Sequence, residues 1–300
     1  MFKDVLSEFR KIFTIEEPPY DYDFIMNLDE KEYPKYLKKI FKISTGFDLN
    51  LKNPKTFNEK VQWLKLYDNL PIKTTLTDKL LVRDWVKERI GDFYLKPILG
   101  VYEKFDDIVF DELPSTFYIK TNHGCKWHFH IKNKDAFLNN RDLYNVVKNK
   151  IDGWMSQSFF GWSVFETQYK NIAPKLFVEK SMIEKESRNP VEIEAFCFDG
   201  EVRLIRKVRF GDPDSQSFYT NELKLISEPI PPFEEEESRF IEDVLHLSKN
   251  LADSFKLVRI DWLVFDDRPY FNEMTFTPCS GMVNLEDKFF EGILNKYLKI

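Results

Sequence analysis

Residues 258–265, VRIDWLVF, and residues 269–281, PYFNEMTFTPCSG, decide how this 300-residue chain folds. In an extended strand successive side chains point to opposite faces, so Arg259 and Asp261 share one face while Val258 and Ile260 share the other. By the same alternation Glu273 and Thr275 share a face of the second run. Asp266, Asp267 and Arg268 supply a polar turn between the runs, so the two strands can fold back on each other and bring Asp261 close to Glu273. Two carboxylates flanked by a cation and a hydroxyl are what Mg²⁺ asks of a protein, with waters and substrate phosphates completing its octahedron. The same spacing also suits a surface hairpin with an ordinary Arg–Asp pair.

Working outward, short β-rich runs occur at 94–102, 116–121, 127–132, 175–183, 191–198 and 201–210, interrupted by a helical pattern near 141–155. Asp199 and Gly200 have the chemistry of a tight hairpin turn, which predicts that EIEAFCF and EVRLIRKVRF pair antiparallel. A short strand near Ser217 to Tyr219 precedes Pro229, Pro231 and Pro232. In EEEESRFIEDVLHLSKNLAD, residues 234–253, four glutamates stand at the positive end of a predicted helix. The first third reads as helical. TFNEKVQWLKLYD begins with a capping box from Thr56 to Glu59, and a second helix is predicted from Thr77, with Gly91 as its stop. A C-terminal helix closes the chain. No internal repeat is visible, and this order of elements fits an α+β architecture.

Composition narrows the chemistry. There are 10 glycines in 300 residues, roughly 3% where about 7% is ordinary, and neither GxGxxG nor GxxxxGK[ST] occurs. Phosphate would have to be held by charge instead of by a glycine cradle. With 43% hydrophobic residues the chain can bury a substantial core, and its formal charge of -6 gives no overall footprint for nucleic acid, so no nucleic-acid partner is expected. Cys125, Cys197 and Cys279 form no disulfide framework, which suits a reducing, cytoplasmic setting. No apolar run is long enough to span a bilayer. MFKDVLSEFRKIF, residues 1–13, places Phe2, Val5, Leu6, Phe9 and Phe13 on one stripe. It fits either a helix on the inner face of a membrane or one docked on its own domain.

VRIDWLV followed by FNEMTFTPCSG resembles the metal-binding end of ATP-grasp ligases, where R-x-D precedes N-E-x-N-t-x-P-G. Thr77-Asp78-Lys79 looks like the helix ahead of that family's nucleotide domain, PSTFYIKTNHGC like its phosphate-binding strand, and LFVEKSM like its interdomain segment. Taken with NPKTFNEKVQWLKLYD, KPILGVYEKFDDI and FCFDGE, these motifs resemble the TupA-like ATP-grasp branch over roughly residues 50–290. That branch is associated with teichuronic acid and other bacterial surface polysaccharides.

The resemblance implies an ATP-grasp fold with antiparallel sheets holding nucleotide between two subdomains: a helical region at 1–92, a small lobe at 93–183 and a large lobe with the metal site at 184–300. It implies that Lys120, assisted by Lys79, Lys126 and Lys180, neutralises ATP phosphates. Glu179 and the backbone after it would meet the adenine, and Glu184 or Glu186 the ribose. Asp261, Glu273 and Thr275 would stand at Mg²⁺, and Arg259 would steady the transferring phosphoryl group. The implied activity is ATP-dependent carboxylate–amine ligation through an acyl phosphate, with ATP and Mg²⁺ as cofactors and a sugar acid or glycan plus an amine as partners.

Three departures stand out. Thr275 replaces the usual Asn ligand, the loop after Lys120 keeps one glycine in Gly124-Cys125-Lys126-Trp127-His128, and Glu194 stands where a Lys is common. His123, Cys125, His128 and His130 lie close in sequence, yet their spacing fits no common zinc signature. Cys197 reads as strand filling, and neither Cys279 nor Ser280 has an evident partner base. Two rival functions remain: a nucleotide-sugar transferase using Asp266 and Asp267, and a non-catalytic relative that keeps the fold as a scaffold.

Overall fold

The computed structural model describes residues 20–182, 190–209, 212–227, 240–265, 268–283 and 290–300. The amphipathic segment 1–13, Glu184 and Glu186, the prolines and glutamates of 228–239 and the turn residues Asp266 and Asp267 lie outside them.

Two antiparallel sheets organise the chain. The smaller has the order β1-β4-β2-β3, from Ile98–Tyr102 (β1), Phe117–Thr121 (β2), His128–Ile131 (β3) and Leu176–Lys180 (β4). The larger has the order β10-β9-β5-β6-β7-β8, from Val191–Phe198 (β5), Glu201–Arg209 (β6), Asp212–Thr220 (β7), Leu225–Ser227 (β8), Val258–Phe265 (β9) and Arg268–Thr275 (β10). The β5–β6 hairpin forms as Asp199-Gly200 predicts. Both residues are left-handed, at φ 49 and 80, as a two-residue turn matched to the twist of the strands requires.

Each sheet buries one face under helices, and the large sheet part of its other face as well. Val258, Ile260 and Trp262 of β9, with Ile193, Ala195 and Cys197 of β5, pack against the helix Ile241–Ala252 and the helix Val82–Ile90. Trp262 satisfies its indole N–H on Ser248 Oγ at 2.8 Å inside this core. Below the small sheet, Phe117, Ile119 and Val178 meet Val147, Ile151 and Trp154 of the helix Arg141–Met155. The helix Phe57–Tyr67 covers Phe196, Phe198 and Leu204 on the opposite face of the large sheet. Its capping box is present, with Thr56 accepting from Glu59 N–H at 3.1 Å and the Glu59 carboxylate accepting from Thr56 N–H at 3.0 Å.

The helix predicted from Thr77 begins only at Val82 and runs to Ile90, and Thr77 instead ends a separate helix, Pro71–Thr77. Asp78 interrupts them because its carboxylate accepts from the N–H groups of Leu80 and Leu81, at 2.8 and 3.2 Å, and from Asn122 Nδ2 at 2.8 Å. A short polar side chain that bonds its own following backbone competes with helix continuation. Gly91 does stop the second helix, at φ 87. At the C-terminus the predicted helix is a π-turn at Phe290–Leu294 and one short helical turn at Asn295–Tyr297.

Candidate active site

A cleft of about 480 Å³ opens between the exposed faces of the two sheets, a volume ordinary for a site that takes a nucleotide-sized ligand. Its walls follow from strand register. Across the large sheet, Glu273 pairs with Asp261, Asp261 with Glu194 and Glu194 with Arg206, so four strands place these side chains in one transverse row. The neighbouring row is Tyr270, Leu263, Glu192 and Val208, an apolar floor carrying one carboxylate. On the other side, Thr275 pairs with Arg259.

Glu273 reaches the cleft through a bulge. Phe271 of β10 lies in the core, and strict alternation would send Glu273 to the same side. The register shifts between Phe271 and Glu273, leaving Asn272 as an extra residue, and a bulge of this kind re-aims the side chains beyond it. Asn272 Oδ1 then accepts from Lys96 Nζ at 2.7 Å.

The charged row is densely paired. Arg259 donates to both oxygens of Asp261, at 2.7 and 2.6 Å, and lies 3.6 Å from Glu194. Arg206 Nη1 donates to both oxygens of Glu194, at 3.1 and 3.0 Å, and its Nε donates to Gln216 at 2.8 Å. Burial raises the Asp261 carboxyl well above the usual range although Arg259 opposes it. For Glu273 burial acts the same way, but Lys79 and Arg259 prevail and hold it below its ordinary value. Burial and the adjacent Glu194 push Glu192 up to about 7.

The small-sheet wall is cationic. Lys120 donates to Glu179 at 2.5 Å, and the buried Lys96 lies 3.3 Å from the same oxygen. Burial would raise the Glu179 carboxyl, yet Lys120 and Lys96 hold it down at about 2. Lys96 itself is pushed down to about 8 by burial, against the pull of Glu179. Lys79 Nζ donates to the Gly124 carbonyl at 2.6 Å, tying the helical region to the loop after β2. Lys126 and Lys180 also line the cleft.

Lys79, Lys120, Lys126, Glu179, Lys180, Arg259 and Glu273 therefore share one cleft, with Asp261 buried in its wall. Thr275, in the row of Arg259, is not among the lining residues. Sequence reasoning gave no role to Lys96, Arg83, Glu192, Arg206 or the apolar residues Leu263, Phe265 and Phe271, all of which line it. Lys96 had a signal, since it begins the KPILG motif.

The single glycine of the loop serves packing: a Cβ at Gly124 would stand 2.3 Å from the Trp127 ring. The left-handed turn falls on Lys126, at φ 58. The histidines do not converge. His123 is buried with its ring nitrogens on Asn122 and on the carbonyls of Trp154 and Gln157, and His130 stacks on Tyr118 at 4.2 Å. Among the described residues, the carboxylates whose oxygens gather within 4.8 Å are Glu192, Glu194 and Asp261. Such hard oxygen donors, with Glu273 paired to Asp261, suit Mg²⁺ better than zinc.

A family model described as TupA-like ATPgrasp matches residues 59–299. Among solved structures, the chain is similar to a D-alanine–D-alanine ligase from Bacillus anthracis complexed with ATP, at 19% identity, covering 67% of this chain and 54% of that one with a TM-score of 0.37. It is also similar to a biotin carboxylase from Campylobacter jejuni in a complex with β,γ-ATP, at 16% identity, covering 75% and 46% with a TM-score of 0.44. The chain thus spans about half the length of these structures. No curated protein matches it. No described helix is long and apolar enough to cross a membrane.

Proposed function

The chain belongs to the TupA-like ATP-grasp family, and from that premise we propose that it is an ATP-dependent carboxylate–amine ligase acting on a sugar acid of a bacterial capsule or cell-wall polysaccharide. The observation that carries the reading is the pairing of two unlike walls across one cleft. Lysines converge on one side, and a row of carboxylates with two arginines lies on the other. ATP presents phosphates to the first, and its metal-bound end to the second.

In this reading Lys120 and Lys96 hold the inner phosphates as point charges, released from Glu179 as the phosphates take its place. The adenine lies over Leu263 and Tyr270, its edge against the backbone after Lys180, and Glu192 takes the ribose hydroxyls. The Glu179 carboxylate is turned toward the lysines, so recognition of the adenine amine falls to the main chain. Asp261 and Glu273 hold Mg²⁺ with Glu194 close by, and the metal when bound would neutralise charge on the outer phosphates. Arg259 faces the transferring phosphoryl group.

The acceptor carboxylate attacks the γ-phosphorus and ADP leaves with the bridging electron pair. An amine then attacks the acyl carbon of the resulting acyl phosphate, the C–O bond to phosphate breaks, and amide and phosphate leave, the phosphate taking up the proton that the amine loses. The protein supplies alignment and fixed charge in this sequence, and no covalent intermediate with the protein is needed. A cytoplasmic site of action, at the inner face of the membrane, is part of the same proposal.

A coupled ADP-release screen crossing uronic acids with amines tests it. The proposal expects ADP release that requires both a carboxylate and Mg²⁺. Tight ATP binding with no ADP release across the panel would favour a non-catalytic scaffold, and hydrolysis of a nucleotide sugar in preference to ATP would favour the transferase reading.

A further inference from the structure

Beyond Arg259 the chain enters a turn, 277–281, whose backbone is held in an unusual shape. Cys279 and Ser280 are both left-handed, at φ 52 and 53, followed by Gly281 at φ 60. Val164 and Phe165, in a second turn packed beside it, are also left-handed, at φ 52 and 62. Non-glycine residues persist in this region only where surrounding contacts over-determine them, and such places cluster at functional sites.

One buried ammonium joins the two turns. Lys65, 1% exposed on the helix Phe57–Tyr67, donates to the Ser280 carbonyl and hydroxyl, each at 2.7 Å, and to the Val164 carbonyl at 3.1 Å. Gln62, three residues earlier on the same helix, donates to the carbonyls of Ser280 and Gly281 at 2.9 and 2.7 Å. Glu166 accepts from Thr277 Oγ1 at 2.8 Å, and Gln168 donates to that hydroxyl at 2.9 Å. None of these side chains lines the nucleotide cleft. What the cluster holds is Cys279, exposed at the surface of the turn that follows the Thr275–Arg259 pair at the end of β10.

We propose that Lys65 is a positioning residue: its ammonium clamps turn 277–281 to turn 163–165 and so fixes the wall that an acceptor meets beyond the transferred phosphoryl group. The word acceptor rests on the ligase reading above; the clamp does not. A buried lysine that does not line the nucleotide cleft, with carbonyl and hydroxyl oxygens as its hydrogen-bond partners, acts on backbone shape. Its effect passes to substrate through Cys279 and the backbone around it.

The test uses the full chain with Cys125→Ser, so that Cys279 is the accessible thiol and Cys197 stays buried. A trifluoromethyl label on Cys279 should give one fluorine resonance in this parent. Lys65→Met should move at least half the intensity to a second resonance. Amide exchange at 279–282 should rise about tenfold or more while β9 and β10 stay protected. Adding Ser280→Gly to Lys65→Met should return most of the intensity to the parent line, because glycine holds the left-handed shape without the clamp. Loss of overall stability alone would not produce that rescue.

An unchanged single line and unchanged exchange in Lys65→Met would overturn the proposal. Should Lys65→Met fail to fold, Ser280→Ala, which removes the hydroxyl that Lys65 donates to and that itself donates to the Ser163 carbonyl at 3.3 Å, is expected to show the second line at a smaller share, and its absence would be equally fatal. MgATP should shift the parent line. No shift despite calorimetric binding would put the turn away from the transferred group and overturn its role as a wall. No binding at all would instead sink the ligase reading, leaving the clamp to be judged on Lys65→Met.

Discussion

The two walls of the cleft solve opposite problems with opposite charge. On the small sheet, one carboxylate, Glu179, is shared by two lysines, so the wall carries surplus positive charge that a phosphate chain can take over. On the large sheet, Glu192, Glu194, Asp261 and Glu273 face two arginines, Arg206 and Arg259, so that wall with all four carboxylates ionised carries surplus negative charge, which burial opposes at Asp261 and Glu192 and a divalent cation would stabilise. Neither wall is neutral by itself. A metal-bound polyphosphate complements both at once, which is why the comparison points to ATP more strongly than either wall does.

The sharpest way to break the comparison lies on the large sheet. Asp261→Asn and Glu273→Gln should each lower ADP formation about 10³-fold or more by removing fixed charge at the transferring group, with circular dichroism unchanged. Normal turnover in both would end the metal assignment. On the small sheet the first effect is on stability. Lys96→Met removes one partner from a buried ion triad and should cost about 3 kcal/mol, read as a lower denaturation midpoint at constant slope.

The same lysine gives the cationic wall a pH signature. Its folded pKa of about 8 means that the ammonium which phosphate prefers is progressively lost above that pH. ATP affinity should therefore fall as pH rises through about 8, by up to about tenfold per unit, whereas Lys96→Met should bind more weakly but without that slope. An identical pH profile in both proteins would show that Lys96 is not the titrating group.

Smaller effects separate packing from chemistry. Gly124→Ala should destabilise by about 1–3 kcal/mol through overpacking against Trp127 while leaving ATP affinity in the folded protein close to wild type. Thr275→Ala should change turnover by less than about twofold, since its hydroxyl does not line the cleft. A large loss there would restore Thr275 to the ligand set.

Much of this was legible in the residues. Period-two alternation in β9 placed Arg259 and Asp261 on the cleft face. The Thr56 capping box and the Asp199-Gly200 hairpin formed as local chemistry required. What could not be read depended on contacts distant in sequence. The row Glu273–Asp261–Glu194–Arg206 joins strands more than sixty residues apart, and only register assembles it. The bulge at Asn272 breaks the alternation on which strand reading depends. Lys96 looks like any lysine before a proline until the fold buries it beside Glu179. The late start of the helix at Val82 is not legible because the helical pattern begins at Thr77, while the side-chain bonds that hold Asp78 outside it draw on Asn122.

Glycine scarcity takes on a different meaning with the structure in hand. Lysines line the cleft where the proposed phosphates would lie, the left-handed turn of the loop falls to Lys126, and the remaining glycine makes room for Trp127. The loop that looked weakened for phosphate binding is built on another plan.

The central claim is that both walls serve one MgATP. Calorimetric titration of MgATP into the wild-type protein and into Lys120→Met tests it most directly. The account predicts saturable one-to-one binding to the wild type, weakened about 100-fold, or roughly 2.7 kcal/mol, by the substitution. Absence of binding to the wild type, or equal binding to both proteins, would contradict it.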